Sequence, residues 1–232
     1  MTGTSVLITG AAGAVGQGVV QAVLAAGHGV IAVDRVQLDA GVIAREIPEA
    51  AGGLHVLEGD ALSPDFMASA VQTAERRFGH LDALIHLAGT YAYASLTETD
   101  IDLWHKVLNA NLTSAYVAAR SVLPALRTTR GVMVFVGAQA ALSAPSNQSA
   151  YNASKAGLMT FARTLSQELR PDGIRVNCII PDIIDTPANR RSMPNSDPTR
   201  WLTLDQVADV LLYLLSGRAS AVTGAAIAVQ RS

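Results

Sequence analysis

The chain alternates short, almost continuously apolar runs with longer segments of helical period, and few folds accept that pattern. The runs are Ser5–Thr9, Gly29–Asp34, Leu54–Glu58, Asp82–Leu87, Val132–Val136, Ile174–Ile180 and Ala225–Val229. A strand with one wet face alternates apolar and polar residues, and these runs do not. They predict strands buried on both faces. Helix-period segments separate them at Val15–Ala26, Pro64–Phe78, Asp100–Leu126, Ser149–Arg170 and Leu204–Ser216. Gly27 and Gly79 stand where the first two of these helices should stop. Strands joined through helices pair in parallel, and right-handed crossovers place helices on both faces of the sheet. The expected fold is α/β, a doubly wound seven-stranded parallel sheet. No repeat or linker divides the chain, so residues 1–232 read as one domain. Thr186–Arg200, with Pro187, Pro194 and Pro198, reads as a loop-like insertion. Residues 186–203 are therefore a candidate substrate loop.

Composition narrows the function classes. Half of the 232 residues are hydrophobic, 16% are charged and the net charge is −2. That balance supports a large core and provides no basic footprint for nucleic acid. Cys178 is the only cysteine, so no disulfide forms within the chain. It is expected to be buried in a strand. The N-terminus enters a strand at once, and no apolar run reaches the length of a membrane span. A cytoplasmic protein is expected. His28, His55, His80, His86 and His105 lack metal-ligand spacing and read as structural or surface residues, with no metal expected.

The first strand runs into Thr9-Gly10-Ala11-Ala12-Gly13-Ala14-Val15-Gly16 and then a helix. Gly10 permits the tight turn, Gly13 lets backbone approach a pyrophosphate, and Gly16 lets helix pack on strand. The free N–H groups of the helix start, with Ala12, Ala14 and Val15, favour phosphate. This is the Rossmann-type arrangement for a dinucleotide. Asp34 ends the second strand, where a carboxylate accepts from both ribose hydroxyls and repels a 2′-phosphate. NAD is therefore expected over NADP, although Arg35 offsets part of that repulsion and leaves NADP open. Asp60, with Ala61 beside it, follows the third strand, near where an adenine would lie. Leu87, Ala88 and Gly89 follow the fourth, small enough for the coenzyme to lie against backbone.

Tyr151-Asn152-Ala153-Ser154-Lys155 places Tyr151 and Lys155 on one face of a helix. An ammonium ~4 Å from a phenol attracts its anion by about 4 kcal/mol at an effective dielectric of about 20. That is roughly three pKa units before desolvation is subtracted. The pair is expected to lower the Tyr151 pKa and to act as a general acid or base. The same lysine is expected to bind the nicotinamide ribose.

The set TGAAGAVG, Asp60, LAG, Asn109-Ala110-Asn111-Leu112, YNASK and RVNCIIPDIIDTP resembles the short-chain dehydrogenase/reductase family, in order and over essentially the whole chain. The resemblance implies an NAD(P)H-dependent oxidoreductase with a small-molecule substrate. It implies that Tyr151 and Lys155 carry the chemistry. Asn111 would distort its helix and help hold a water that links the lysine to solvent. Pro181 would begin a segment whose backbone near Ile184 binds the nicotinamide carboxamide, with Thr186 nearby. The two long helices resemble those of the family's interface, which implies a homodimer or homotetramer.

Three departures stand out. Ala14 occupies the position of the family's usual second glycine, and Asp182 follows Pro181 in place of glycine. Ala138 occupies the place of the catalytic serine, and alanine donates no hydrogen bond. Val136–Leu142 and Asp185–Pro194 are similar to quinoid dihydropteridine reductase, a family that keeps the Tyr/Lys pair with alanine for serine. That similarity implies a pterin, quinone-like or carbonyl substrate. Ser143, Gln139 and Asn147 are alternative donors, and Tyr91 and Tyr93 are candidate pocket walls. The competing reading, carried by Ala138, is a non-catalytic dinucleotide-binding sensor or scaffold.

Overall fold

The computed structural model describes residues 3–39 and 53–231. Seven strands form one sheet: β1 (Ser5–Thr9), β2 (Gly29–Asp34), β3 (Leu54–Glu58), β4 (Ala83–His86), β5 (Val132–Val136), β6 (Arg175–Pro181) and β7 (Ala226–Val229). Their order is β3-β2-β1-β4-β5-β6-β7, and every pairing is parallel. The order reverses between β1 and β4, which opens a crevice at their carboxyl ends, where such sheets bind ligands.

The helices are α1 (Ala14–Ala25), α2 (Pro64–Phe78), α3 (Ile101–Leu108), α4 (Ser114–Thr129), α5 (Ala140–Ser143), α6 (Ser149–Glu168), α7 (Pro187–Ser192) and α8 (Leu204–Leu215). Alternate strand residues point to opposite faces, and each face has its own core. Leu7, Ile31, Leu84, Met133 and Phe135 pack with α2, α4 and α6. Val6, Ile8, Val30, Ile85 and Val134 pack with α1 and α8. This is why the strand sequences show no polar alternation. No helix among the described residues is long and apolar enough to cross a membrane.

Two elements differ from the sequence expectation. The segment expected as one helix over Asp100–Leu126 is two, α3 and α4, joined by a π-helical turn at Asn109–Thr113. Helical periodicity does not register one inserted residue, because the apolar face resumes on both sides. The stretch expected as a loop over Thr186–Arg200 holds α7 and a single 3₁₀ turn, Pro198–Arg200. Thr186 caps α7 by accepting from the Asn189 N–H at 3.2 Å, and Pro187 sits in its first turn. Those are helix-start signals that the proline count concealed.

Glycines hold the crossing of β1, β4 and α1. Gly10 has φ +72°, and a Cβ there would lie 2.7 Å from the Leu87 carbonyl carbon. A Cβ on Gly16 would strike the Gly10 carbonyl oxygen. Gly27 also has positive φ, +80°, but a Cβ there meets nothing within 4 Å. Gly16→Ala should therefore cost about 2 kcal/mol or more, since overpacking against backbone has no outlet. Gly27→Ala should cost only about 1 kcal/mol, from conformation alone. Urea denaturation of the two variants measures the difference, and equal losses would contradict this packing.

Candidate coenzyme pocket and reaction centre

A cavity of ≈ 320 Å³ lies at the carboxyl ends of β1, β2 and β4. Of the residues expected at the coenzyme, Gly10, Gly13, Asp34, Arg35, Asp60, Ala61, Leu87, Ala88 and Gly89 line it. Ala12, Ala14, Val15 and Gly16 support it from the turn and the start of α1. Gly13 is the N-cap of α1, with no side-chain cap and no acidic residue in the first turn. A Cβ on Gly13 would meet only the Gly10 carbonyl oxygen, at 3.4 Å, so the glycine leaves a cradle that a side chain would fill. The Asp34 carboxylate accepts from the Ala12 N–H at 3.0 Å and the Val36 N–H at 3.2 Å. These two bonds hold it at the edge of the same cavity. An exposed backbone cradle beside an oriented carboxylate fits a dinucleotide.

Lys106, Asn109, Ala110 and Ser114 also line the cavity; Asn109 and Ala110 lie in the motif around Asn111, but the sequence reading places none of the four at the coenzyme. Lys106, Ala110 and Ser114 are spaced by four, with Asn109 three after Lys106, which places them along one face of the α3–α4 segment. That periodicity was available in the sequence, but the partner of the face was not. Pro181, Ile184 and Thr186 lie elsewhere, at and beyond the end of β6. The Ile184 carbonyl accepts from Asn189 Nδ2 at 2.8 Å, and Ile184 bridges Leu202.

Two of the residues expected at the reaction centre, Asn111 and Lys155, meet beneath Gly89. A Cβ on Gly89 would lie 2.7 Å from Asn111 Oδ1 and 3.6 Å from Lys155 Nζ. Asn111 sits in the π-helical turn, so its helix is distorted as the resemblance implies. Its Oδ1 accepts from the Thr90 N–H at 2.7 Å. Its Nδ2 donates to the Thr90 carbonyl at 3.0 Å and to Ser154 Oγ at 2.8 Å. One side chain thus clamps the segment after β4 to α6.

The expected lowering of Tyr151 by Lys155 is not what this geometry produces. Lys155 Nζ donates to the Val136 carbonyl at 2.8 Å. Burial pushes the Tyr151 phenol up to about 12, and Tyr91 adds to the rise. Burial pushes Lys155 down to about 8, with Cys178 partly opposing. Desolvation, and not attraction by Lys155, sets the direction of the Tyr151 shift. The Tyr91 ring meets Tyr151 edge-on, with centroids 5.0 Å apart. Tyr91 is itself 58% exposed, so it forms the open wall of this centre.

Ala138 is buried, two residues after the Val136 carbonyl that accepts from Lys155. Two of the three alternative donors are committed elsewhere. Ser143 Oγ donates to the Gln139 carbonyl at 3.3 Å, and Asn147 Nδ2 donates to the Tyr93 hydroxyl at 3.0 Å. Gln139 Oε1 is buried without a hydrogen-bond partner among the described residues. The segment after β6 is ordered by a bidentate pair between Arg190 and Asp185, at 2.6 and 2.7 Å, and by buried Trp201. Asp182 is exposed and faces a second cavity of ≈ 590 Å³ with Arg200 and Arg231.

His86, read from sequence as structural or surface, is fully buried at the end of β4, and burial pushes it down to about 3. An unfolded chain protonates this histidine near pH 6.5, whereas the folded one resists until about 3. Its contribution to stability is complete above pH 6.5 and declines as pH falls toward 3, by roughly 1.4 kcal/mol per pH unit. Urea denaturation between pH 7 and pH 4.5 should show that slope removed in His86→Asn. Parallel curves for the two proteins would contradict it.

Relatives agree with this architecture. The short chain dehydrogenase family model matches residues 4–197. Trans-4-hydroxycyclohexanecarboxylate dehydrogenase of Sinomonas cyclohexanicum is 28% identical over 235 residues, covering 96% of this chain and 90% of that protein. An oxidoreductase of the short chain dehydrogenase/reductase family from Burkholderia thailandensis is 33% identical with a TM-score of 0.87, covering 99% of this chain and 92% of that one. The 3-ketoacyl-(acyl-carrier-protein) reductase of Brucella melitensis, solved in complex with NADH, is 26% identical with a TM-score of 0.86, covering 98% and 96%. With the parallel sheet, the glycine cradle and the family match in agreement, this chain belongs to the short-chain dehydrogenase/reductase family and is an NAD(P)-dependent oxidoreductase.

Proposed function

We propose that the chain reduces an electron-poor pterin, quinone-like or carbonyl compound, with NADH as the preferred coenzyme and Tyr151 as the proton donor. The observation that carries this reading is the meeting of Asn111 and Lys155 beneath Gly89 at the cavity wall, with Tyr151 one helical turn before Lys155 and Ala138 in place of the usual hydroxyl donor. When bound, the nicotinamide supplies a hydride to the substrate. Gly10, Gly13 and the start of α1 would hold the phosphates, and Asp34 the adenosine ribose. Asp34 is already oriented by two backbone N–H groups, which favours NADH. Arg35 and Lys106 on the same cavity leave some capacity for a 2′-phosphate.

Tyr151 stays protonated at neutral pH, which suits donation to a reduced substrate rather than abstraction from an alcohol. Lys155, one helical turn further on, is the cation available to the phenolate left behind. It is also the group placed to hold the nicotinamide ribose, with the Pro181, Ile184 and Thr186 segment on the carboxamide. A relay through Asn111 and water would return the proton. Loss of one oxyanion donor costs about 3–4 kcal/mol in a carbonyl reduction. A pterin or quinone-like acceptor, already electron-poor, tolerates that loss. This physical argument, with the likeness to quinoid dihydropteridine reductase, favours such substrates over simple ketones. For carbonyl substrates, Gln139 is the candidate among the three, and its donor would be the Nε2 amide, since the unpartnered Oε1 can only accept.

The second reading, a non-catalytic coenzyme-binding sensor or scaffold, is favoured by Ala138 alone. One experiment separates the two. Purified protein is assayed with NADH and NADPH against a dihydropterin in its oxidised form, quinones and small ketones. Turnover is expected with NADH at least about tenfold more efficient than with NADPH. Tyr151→Phe should lower kcat by about 10²–10⁴ with little change in NADH affinity. NADH binding with no turnover of any acceptor would support the sensor, and unchanged Tyr151→Phe activity would remove Tyr151 from the mechanism.

The α4 and α6 faces are proposed to join copies into a homodimer or homotetramer. Tyr116 of α4 is 48% exposed and tilts over Phe161 of α6. Light scattering at working concentration should give two or four times the 24.2 kDa chain mass, and a monomer would exclude this assembly.

A further inference from the structure

A line of buried hydrogen bonds crosses the floor of the cavity. Thr9, His86 and Ser114 are 0%, 1% and 2% exposed, so water cannot substitute for a missing partner. Ser114 Oγ donates to the Ala110 carbonyl at 2.6 Å and lies 3.2 Å from His86 Nε2. A hydroxyl has one proton, and this one is spent on Ala110. His86 Nε2 must therefore carry the hydrogen that Ser114 accepts. A neutral imidazole has only one N–H, so Nδ1 is bare and accepts from Thr9 Oγ1 at 2.8 Å. Thr9 Oγ1 in turn accepts the Ala88 N–H at 3.4 Å. The direction of every bond in the line follows from the single proton on Ser114.

The line ends where the helix departs from regular geometry. In an α-helix the Ser114 N–H would bond to the Ala110 carbonyl. Here it bonds to the Asn109 carbonyl, five residues back. The π-helical turn thus deprives Ala110 of that partner, and the Ser114 hydroxyl replaces it. Ala88, Ala110 and Ser114 all line the coenzyme cavity, and the same turn presents Asn111 to Thr90.

We propose that His86, as its Nε2–H tautomer, is a positioning residue that fixes the π-helical turn against the ends of β1 and β4 through Ser114 and Thr9, and so sets the shape of the coenzyme pocket. This inference rests on the coenzyme reading above. Cutting the line at either bond frees the same turn, so the two cuts have one consequence rather than two.

Ser114→Ala removes the hydroxyl. His86→Asn keeps an acceptor near Thr9 but falls short of Ser114. NADH affinity measured by fluorescence titration should weaken about fivefold or more in each, the scale of one lost hydrogen bond. The Ser114→Ala/His86→Asn double variant should bind no more than about twofold worse than the weaker single variant. Leu211→Ala, in the core of the opposite face, should lower Tm while leaving NADH affinity unchanged. That control separates positioning from general loss of stability. Long-range ¹⁵N correlation spectra of the wild-type protein should show His86 as the Nε2–H tautomer, a readout that needs no variant to fold. Unchanged affinity in both single variants, fully multiplicative losses in the double variant, or an Nδ1–H tautomer would each overturn the proposal. Failure of the wild-type chain to bind either NADH or NADPH would instead overturn the coenzyme reading beneath it.

Discussion

At the carboxyl end of the sheet, the backbone of Gly10 lies against that of Leu87 and Ala88, and α1 closes on it through Gly16. No side chain fits between these three segments. That contact sets how close β1, β4 and α1 come, and the crevice opens immediately beside it. Everything placed at the site is measured from there. Asp34 is tied to the turn through the Ala12 N–H. Ala88 is tied to Thr9, and Gly89 sits over Asn111 and Lys155. The parallel register of β1 with β2 and β4 brings these residues to one level, because strands paired in parallel end on the same side.

Burial sets the electrostatics of the centre. Lys155 and Tyr151 both lie in surroundings that disfavour charge, so the amine is pushed down and the phenol up. The Val136 carbonyl supplies the lysine's hydrogen bond. A phenol that keeps its proton at neutral pH suits the donation proposed for Tyr151. The same logic governs His86. Its burial holds it neutral, and a neutral imidazole can donate at one nitrogen and accept at the other. An imidazolium would break the bond from Thr9, and with it the directional line to the π-helical turn.

The elements legible in the sequence were those whose cause is local. Seven apolar runs became seven strands, within about a residue at their ends. The turn at Gly10, the packing of Gly16 and the placing of Asp34 followed from the residue types themselves. The substrate side was less legible. The proline-rich stretch after Asp185 hid α7, although Thr186-Pro187 carries the capping signal for it. The α3–α4 face bearing Lys106, Ala110 and Ser114 carried a visible spacing but no label for what it would face. Ala138 was visible as a missing donor, yet only the packing showed that Ser143 and Asn147 are already committed.

The sequence by itself determined the fold class, the family and the chemical types at the centre. Strand burial, glycine placement and the Tyr151–Lys155 spacing are properties of short stretches of chain. The tertiary structure decided the protonation preferences, the role of His86 and the π-helical form of the distortion at Asn111. Each of these depends on groups far apart in sequence meeting in a dry interior. There, desolvation sets the direction of the pKa shifts, and one hydroxyl proton, on Ser114, orders a line of bonds reaching back to Thr9.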